Sequence, residues 1–579
     1  MAITPQLYRQ IKRVLFLFVL MLTASTQPIF AQKGNPKLTE EQRIKFDQHF
    51  INANKFLMVK QPDEALKEIK QAEAIDAENG ALNYLSAQIY LQKSLLVDAE
   101  RYALKASKLE PENPWYNKLL GEVYKSQKQY KKAGDLYSVI YRKEPKSLTA
   151  LYDATYMYVM ARELDKALKL LTEAEKVIGL NEDIVKQKQS IFLAQNKVDK
   201  AIKEAEKLTT ANPQNTRYIG QLADIYLSNG KEEKANELYR KILSIEPDNG
   251  YALLALADDY RNKKNYTEWF NYTLAAAKSP TLDVKSKLRT CIEVISSNQF
   301  GDEQKSKNYQ LASALTQTNA DEAAAWMLLG DLYAQDTKYK EAHEQYEKAA
   351  VIEPGNYSIW RQMAMCSSEL RDNQQMMKDC ERAIELFPNE ALFYAYYTFA
   401  AQQLKLYQSA IDMARRGLEL SDGQSAIQIQ LYVSIGDAAN FLKQYSTSDS
   451  AFEAALKIDR DNTYALNNYA YFLSLRKTNL ERAAEMSLRT IELDAQNASY
   501  YDTYGWILFV QKKYSEAKTQ IEKSIELAPK NAEVLDHYGD VLYHLGDISK
   551  AIEQWIKARD FGVENSLINK KIKDKKWYE

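Results

Sequence analysis

Small side chains return along this chain at one fixed interval. Ala65, Ala99, Ala133, Ala167, Ala201 and Ala235 follow one another, each thirty-four places after the last. Tyr90, Tyr124, Tyr158, Phe192, Tyr226 and Tyr260 keep the same step. Pro111, Pro145, Pro213 and Pro247 run in phase with them, with Gly179 in the missing slot and Ala77 before the series. Three kinds of position recurring together cannot come from composition. A period of this length means stacked supersecondary units, none of which can bury its apolar face alone.

The unit is clearest over Ala323 to Asn356. Trp326, Leu329, Gly330 and Tyr333 fall at i, i+3, i+4 and i+7, one face of a first helix. Ala342, Tyr346 and Ala349 form the matching stripe of a second helix, and Pro354 stands where that helix must stop. Gly330 and Ala342 let the two helices approach closely. A larger residue at either would overpack the contact at about 1–3 kcal/mol. With 18 Gly, 13 Pro and 40 Tyr, the composition suits long helices, short turns and aromatic knobs.

The spacing W-x2-L-G-x2-Y, then A-x3-aromatic, then Pro resembles a tetratricopeptide repeat (TPR). That resemblance implies an all-α, right-handed α-solenoid of helix–turn–helix units, about fourteen of them plus one irregular helical pair. After Ala235 the pattern falters: Trp269 takes the alanine slot and no proline follows. The phase resumes at Ala342, seventy-three places on and five more than two repeats. Two helices around Val284–Ser297 and Glu303–Thr318 are expected between them, as a pair that continues the stack or as a hinge. Thereafter Ala342, Met376, Ala410, Ser448, Ala483, Ala517 and Ala551 step by 34, 34, 38, 35, 34 and 34. The two longer steps predict insertions near Ser421–Ser425 and Arg476–Asn479.

The first residues differ from the rest. Arg9, Lys12 and Arg13 precede an apolar run from Val14 to Leu22 and a small, polar stretch to Ala31. This is the layout of a secretory signal peptide cut after Ala31. The run is shorter than the roughly 20 residues of a spanning helix, so no transmembrane segment is expected in the mature chain. No cysteine stands at the cut to take a lipid. The expected organisation is a signal peptide at 1–31, a polar linker at 32–45 and an N-terminal array at 46–282. An irregular pair follows at 283–322, a C-terminal array at 323–563 and a basic capping helix or tail at 564–579. The tail's lysines make it a candidate for peripheral membrane association, although a charge run is usually a solvated face.

The 77 Lys and Arg against 78 Asp and Glu leave no electrostatic footprint for nucleic acid. The three cysteines, Cys291, Cys366 and Cys380, are odd in number. Cys366 and Cys380 sit about a helical turn out of level, so buried free thiols are expected. Motifs for a nucleophile elbow, a phosphate loop, a dinucleotide fingerprint or C-x-x-C are missing. His343-Glu344 opens like a zinc-protease helix, but Glu347 stands where the second histidine belongs. Asp459-Arg460-Asp461-Asn462 looks like a calcium loop, but Tyr464 stands where glycine is needed. It reads as the end of one helix and the cap of the next. No metal, no cofactor and no catalytic residue is expected, and the residues after the last repeat leave no room for an enzyme domain.

In TPR proteins the first helices line a groove that takes extended peptides or partner helices. The resemblance places groove residues one, five and eight positions after the Trp326-type position and two before it. In the last three units these are Tyr464, Asn467 and Tyr471, then Asp502, Trp506 and Phe509, then Asp536, Asp540 and Tyr543. Aromatics among carboxylates suit an interface, since aromatic anchors carry much binding energy. The opposing reading is that neighbouring helices cover them as core. Earlier units offer Trp115, Lys118, Glu122 and Lys125, then Tyr152 and Tyr156. The paired Lys, Asn and Arg of the carboxylate clamp in chaperone-binding TPR domains are not found.

The expected function is a non-catalytic protein–protein interaction scaffold or adaptor in the bacterial cell envelope. The protein would be exported, periplasmic or outer-membrane-associated, with other envelope proteins as partners. The alternative is a glycan-binding scaffold for polysaccharide export or uptake, working through the tyrosine-rich groove. An enzyme built on a carboxylate pair such as Asp502 and Asp536 is the third reading.

Overall fold

The computed structural model describes residues 38–563 and 566–578. The expected signal peptide, its cut after Ala31 and residues 32–37 of the polar linker lie outside the described residues. Residues 40–45, expected as linker, already belong to the helix Glu40–Met58, which Thr39 caps. Among these there are 31 α-helices, one 3-10 turn and no strand. The chain divides into two compact units between Ile245 and Glu246.

The first unit holds six helical hairpins, from Glu40–Met58 with Pro62–Ile75 to Thr216–Ser228 with Glu232–Ile245. Local chemistry sets the boundaries. Asn79, Asn113, Ser147, Asn181 and Asn215 cap the first helices, each side chain accepting from a backbone N–H two or three residues on. Lys60, Ser94, Lys128, Arg162, Asn196 and Gly230 end them with φ between 57° and 70°. A left-handed residue just past the last turn lets the chain reverse into the second helix. Ala65, Ala99, Ala133, Ala167, Ala201 and Ala235 are fully buried, so the periodic alanines are the points of closest helix contact.

The second unit opens on Gly250–Asn262 and Tyr266–Lys278, followed by Val284–Ser297 and Gln304–Thr318. That second pair is a hairpin with a swollen turn. Asn298, left-handed at φ 51°, stands one full repeat after Lys264 and ends its helix in the usual way. The next helix starts six residues after Asn298, against two after Thr337 in the following hairpin. Four of the five extra residues therefore lie in the turn, around the 3-10 segment Gly301–Glu303, and the fifth lengthens the helix to 15 residues. Phe300 of that turn packs edge-on against Phe270 at 5.9 Å. One core joins Trp269, Cys291, Leu315 and Ala325, so apolar packing runs through the pair without a break.

Seven further hairpins run from Ala323 to Asp560, and Ile568–Asp574 closes the unit. The insertion expected near Ser421–Ser425 takes the form of an added helical turn. Residues 421–424 make a four-residue loop like 353–356, whereas Ser425–Phe441 has 17 residues where its neighbours have 13. Four residues are about one helical turn, so the added length keeps the buried stripe in phase. The other insertion is in its turn, where Asn479 takes φ 48°. Asp459 follows one helix and Asn462 caps the next, accepting from the Ala465 N–H. Cys291, Cys366 and Cys380 are free and buried, and burial pushes the Cys291 and Cys366 thiols up to about 12. Within each unit the described residues form an all-α stack of helical hairpins, as the repeat predicts.

Candidate partner-binding surface on the first helices

The nine groove positions of the last three hairpins lie on Thr463–Leu475, Ala498–Val510 and Ala532–His544. Of these, Tyr464 is exposed; Asn467, Tyr471, Trp506 and Tyr543 are partly covered; Asp502, Phe509, Asp536 and Asp540 are buried. The chain itself supplies the cover. Trp506 stacks on His537 at 4.2 Å and on Phe509 at 4.9 Å. Phe509 also meets His544 edge-on at 5.0 Å and Trp577 at 6.2 Å. The Tyr471 hydroxyl reaches Glu533, 3.3 Å away and two hairpins on.

The acids of the strip have internal partners too. His537 Nδ1 lies 3.0 Å from Asp502 Oδ1. Burial works to lower the His537 pKa, but the Asp502 carboxylate outweighs it and holds the imidazole at about 9. A cation therefore faces the Trp506 ring, a geometry that itself attracts. Lys571 donates to Asp536 Oδ1 at 2.8 Å and to Asp540 Oδ1 and Oδ2 at 2.6 and 2.8 Å. The Trp555 indole N–H adds a bond to Asp540 Oδ1 at 2.8 Å. Burial raises the Asp540 carboxyl, Lys571 pulls it back and Asp536 pushes it up again. The short helix Ile568–Asp574, which carries Lys571, thus covers the last hairpin. One hairpin before the strip, Asp437 is buried and accepts from Tyr464 and Asn468, each at 3.2 Å. Burial pushes its carboxyl up to about 6.

The equivalent positions of the first unit are open. Trp115 is 49% exposed and Tyr156 57%, and Val159, Leu193 and Leu227 are exposed as well. They occupy the positions two before, five after and eight after the framework residue on four successive first helices, Pro114–Ser126 to Thr216–Ser228. Among the described residues of this unit no helix covers them. The sequence contained Trp115 and Tyr156 at these positions, but the apolar residues eight positions on were not distinguished from core.

Two clusters bear on chemistry. His343 Nε2 lies 2.7 Å from Asp379 Oδ2, the same oxygen that accepts from Ser367 Oγ at 2.8 Å, while Gln375 donates to Oδ1 at 2.9 Å. Histidine and serine both point at the carboxylate, and Ser367 is buried, so this group ties helices together and presents no nucleophile. Among the described residues no group of three or more His, Cys, Asp or Glu side chains is placed to hold a metal ion. No described helix is long and apolar enough to cross a membrane.

Tetratricopeptide-repeat profiles match residues 192–258, 323–356, 429–462 and 505–561. The human mitochondrial import receptor subunit TOM70 is 22% identical over 209 residues, which are 36% of this chain and 34% of TOM70. The Arabidopsis thaliana N-terminal acetyltransferase A complex auxiliary subunit NAA15 is 27% identical over 112 residues, 19% of this chain and 11% of NAA15. The chain thus matches about a third or less of the length of either relative. A solved tetratricopeptide repeat protein from Parabacteroides merdae aligns with a TM-score of 0.37 at 15% identity, covering 44% of this chain and 98% of that one. The four matched stretches fall on the hairpins described above, and the chain belongs to the tetratricopeptide-repeat proteins, whose fold serves as a protein-interaction scaffold.

Proposed function

We propose that this protein is an exported scaffold of the bacterial cell envelope that holds a partner polypeptide along the inner faces of its first helices. The observation that carries this reading is the open apolar run Trp115, Tyr156, Val159, Leu193 and Leu227 on successive first helices. Aromatic anchors with few rotatable bonds give binding energy at low entropic cost. Export rests on the basic-then-apolar start of the sequence. In the second unit the partner meets Tyr464, Asn467, Tyr471, Trp506 and Tyr543, since Asp502, Phe509, Asp536 and Asp540 are already engaged within the chain.

A photo-crosslinking residue placed at Tyr156 in living cells tests the reading. The expected result is a reproducible polypeptide adduct that is lost with Trp115→Ala. Val97, 81% exposed at the start of a second helix, is the control position. Equal crosslinking from both positions, or polysaccharide in place of polypeptide at Tyr156, overturns it.

A further inference from the structure

The first helix, Glu40–Met58, has two apolar faces. Phe46 and Ala53 are buried against the second helix and the next hairpin, with Phe50 and Leu57 partly buried beside them. Ile44, Ile51 and Met58 line the opposite face and are 59, 63 and 84% exposed. Single exposed apolar residues are ordinary. Three in one row at steps of seven residues form a narrow seam and supply one of the two apolar positions per heptad by which helices pair. An open solenoid end needs a polar cap. The last hairpin has one, since Ile568–Asp574 covers it and shows Lys570 and Lys573 to solvent. The first described helix instead shows an apolar row to solvent.

The row is symmetric about its centre. Ile44 and Met58 stand seven residues either side of Ile51, and Asp47 and Lys55 stand four either side. Asp47 and Lys55 therefore flank the seam on opposite edges, about 40° around the helix from it. Both are exposed, and neither forms an ion pair with another described residue. When two such helices lie antiparallel on a two-fold axis through Ile51, Ile44 meets Met58 and Asp47 meets Lys55, twice. A face complementary to itself is what an isologous interface requires.

We infer that two copies of this chain associate through their first described helices, antiparallel, with Ile51 on the two-fold axis and reciprocal Asp47–Lys55 pairs reaching across the seam. One helix pair buries less than the roughly 1,200 Å² of a standard stable complex, so the dimer dissociates on dilution. On the scaffold reading proposed above, such a dimer joins two binding surfaces, so that one partner chain is gripped twice.

Sedimentation equilibrium of the full-length protein, with helicity and melting followed in parallel, tests this. The expected result is reversible association to twice the monomer mass. Ile51→Lys abolishes association without changing helicity, and Asp47→Lys or Lys55→Asp alone weakens it about tenfold. The double swap, Asp47→Lys with Lys55→Asp, restores it. Ile51→Cys gives a disulfide-linked dimer under mild oxidation, because the axis brings this position against itself. A monomer at all concentrations overturns the inference, whether residues before Leu38 or a foreign partner cover the seam. A dimer indifferent to Ile51→Lys, or a double swap that does not rescue, overturns it too.

Discussion

The Tyr346 hydroxyl donates to Asp331 at 2.7 Å, fifteen residues back across a single hairpin. The same relation holds for Tyr137 and Glu122 at 2.9 Å, Tyr239 and Asp224 at 2.8 Å, and the Trp555 indole with Asp540 at 2.8 Å. In three of these four the residue before the acid is glycine, and the ring lies against it. A Cβ on Gly121, Gly330 or Gly539 would stand 2.6, 2.7 or 2.4 Å from the ring. Each such hairpin is thus locked by one device: a ring fills the space that glycine leaves, and its polar end meets an acid on the groove side. These four acids of the first helices are engaged by the fold itself.

Gly330→Ala is accordingly expected to cost more than a helix-favouring substitution should. Alanine would otherwise gain about 1 kcal/mol over glycine in a helix. Here the methyl collides with a fully buried Tyr346 ring, so a net loss of about 1–3 kcal/mol is expected. Tyr346→Phe should cost about 1 kcal/mol, the net value of one hydrogen bond. Urea denaturation of the two variants gives both figures, and a stabilised Gly330→Ala would show that the ring can move aside.

Lys287 is buried in the pair with the swollen turn, and its Nζ donates to Asn319 Oδ1 at 3.0 Å. Burial pulls its pKa below the usual lysine range. A base with a depressed folded pKa is an unfavourable cation below that value, and the penalty fades as pH rises towards the unfolded pKa. Lys287→Met should therefore stabilise the protein at neutral pH by about 1–3 kcal/mol, the cost of burying an ill-matched polar group. It should also flatten the alkaline rise in stability, read from thermal melts between neutral and alkaline pH.

Asp437 and His537 both titrate higher in the folded chain than in the unfolded one, so both favour folding most at low pH. The Asp437 contribution is complete below the ordinary aspartate value of 3.8 and is lost as pH rises through about 6. At neutral pH its ionised, buried carboxylate is a burden. Asp437→Asn should raise stability at pH 7.5 by about 2–3 kcal/mol, at 1.36 kcal/mol per pKa unit, and change little at pH 4. The His537 contribution is complete below 6.5 and is lost as pH rises through about 9. Asp502→Asn should move that loss to lower pH, at a several-fold higher proton concentration. The ring stacked on His537 should report it as a shifted step in tryptophan fluorescence.

The period made most of this fold legible. Ala133, Ala167 and Ala201 are buried because a small residue is needed wherever two helices touch, and the sequence shows that need directly. Asn79, Asn113, Asn181 and Asn215 mark helix starts at the same interval, with a side-chain oxygen on a free backbone N–H. The extra turn in Ser425–Phe441 was not legible, because four residues can lengthen a helix or a loop and the apolar pattern reads alike. The surroundings of Asp502 and Asp536 were hidden for another reason. His537 and Lys571 each stand 35 residues after the acid they meet. That offset places them on the next helix at an angle set by packing, which spacing does not carry. The Ile44, Ile51 and Met58 row is plain in the sequence, yet only exposure separates it from the buried stripe on the same helix.

The buried lysine at the end of the chain offers the sharpest test of how the last hairpin is held. Lys571 sets one positive charge between Asp536 and Asp540, with the Trp555 N–H as a further donor to Asp540. Removing one member of such a group leaves buried charge uncompensated and costs about 3–5 kcal/mol, whereas replacing the set with neutral groups costs little. Lys571→Met should therefore release residues 566–578 and loosen Ala532–His544, seen as faster amide exchange in both. Trp577, which sits 4.8 Å from His544 and 6.2 Å from Phe509, should become open to solvent and to quenchers. Adding Asp536→Asn and Asp540→Asn to Lys571→Met should recover most of the protection, since no buried charge is then left unpaired. If the single variant exchanges as the parent does, apolar packing through Ile568 and Trp577 holds the cap and the ionic cluster is incidental. If the triple variant stays loose, the lysine holds the cap by direct attachment, and relief of repulsion between the two acids is not the cause.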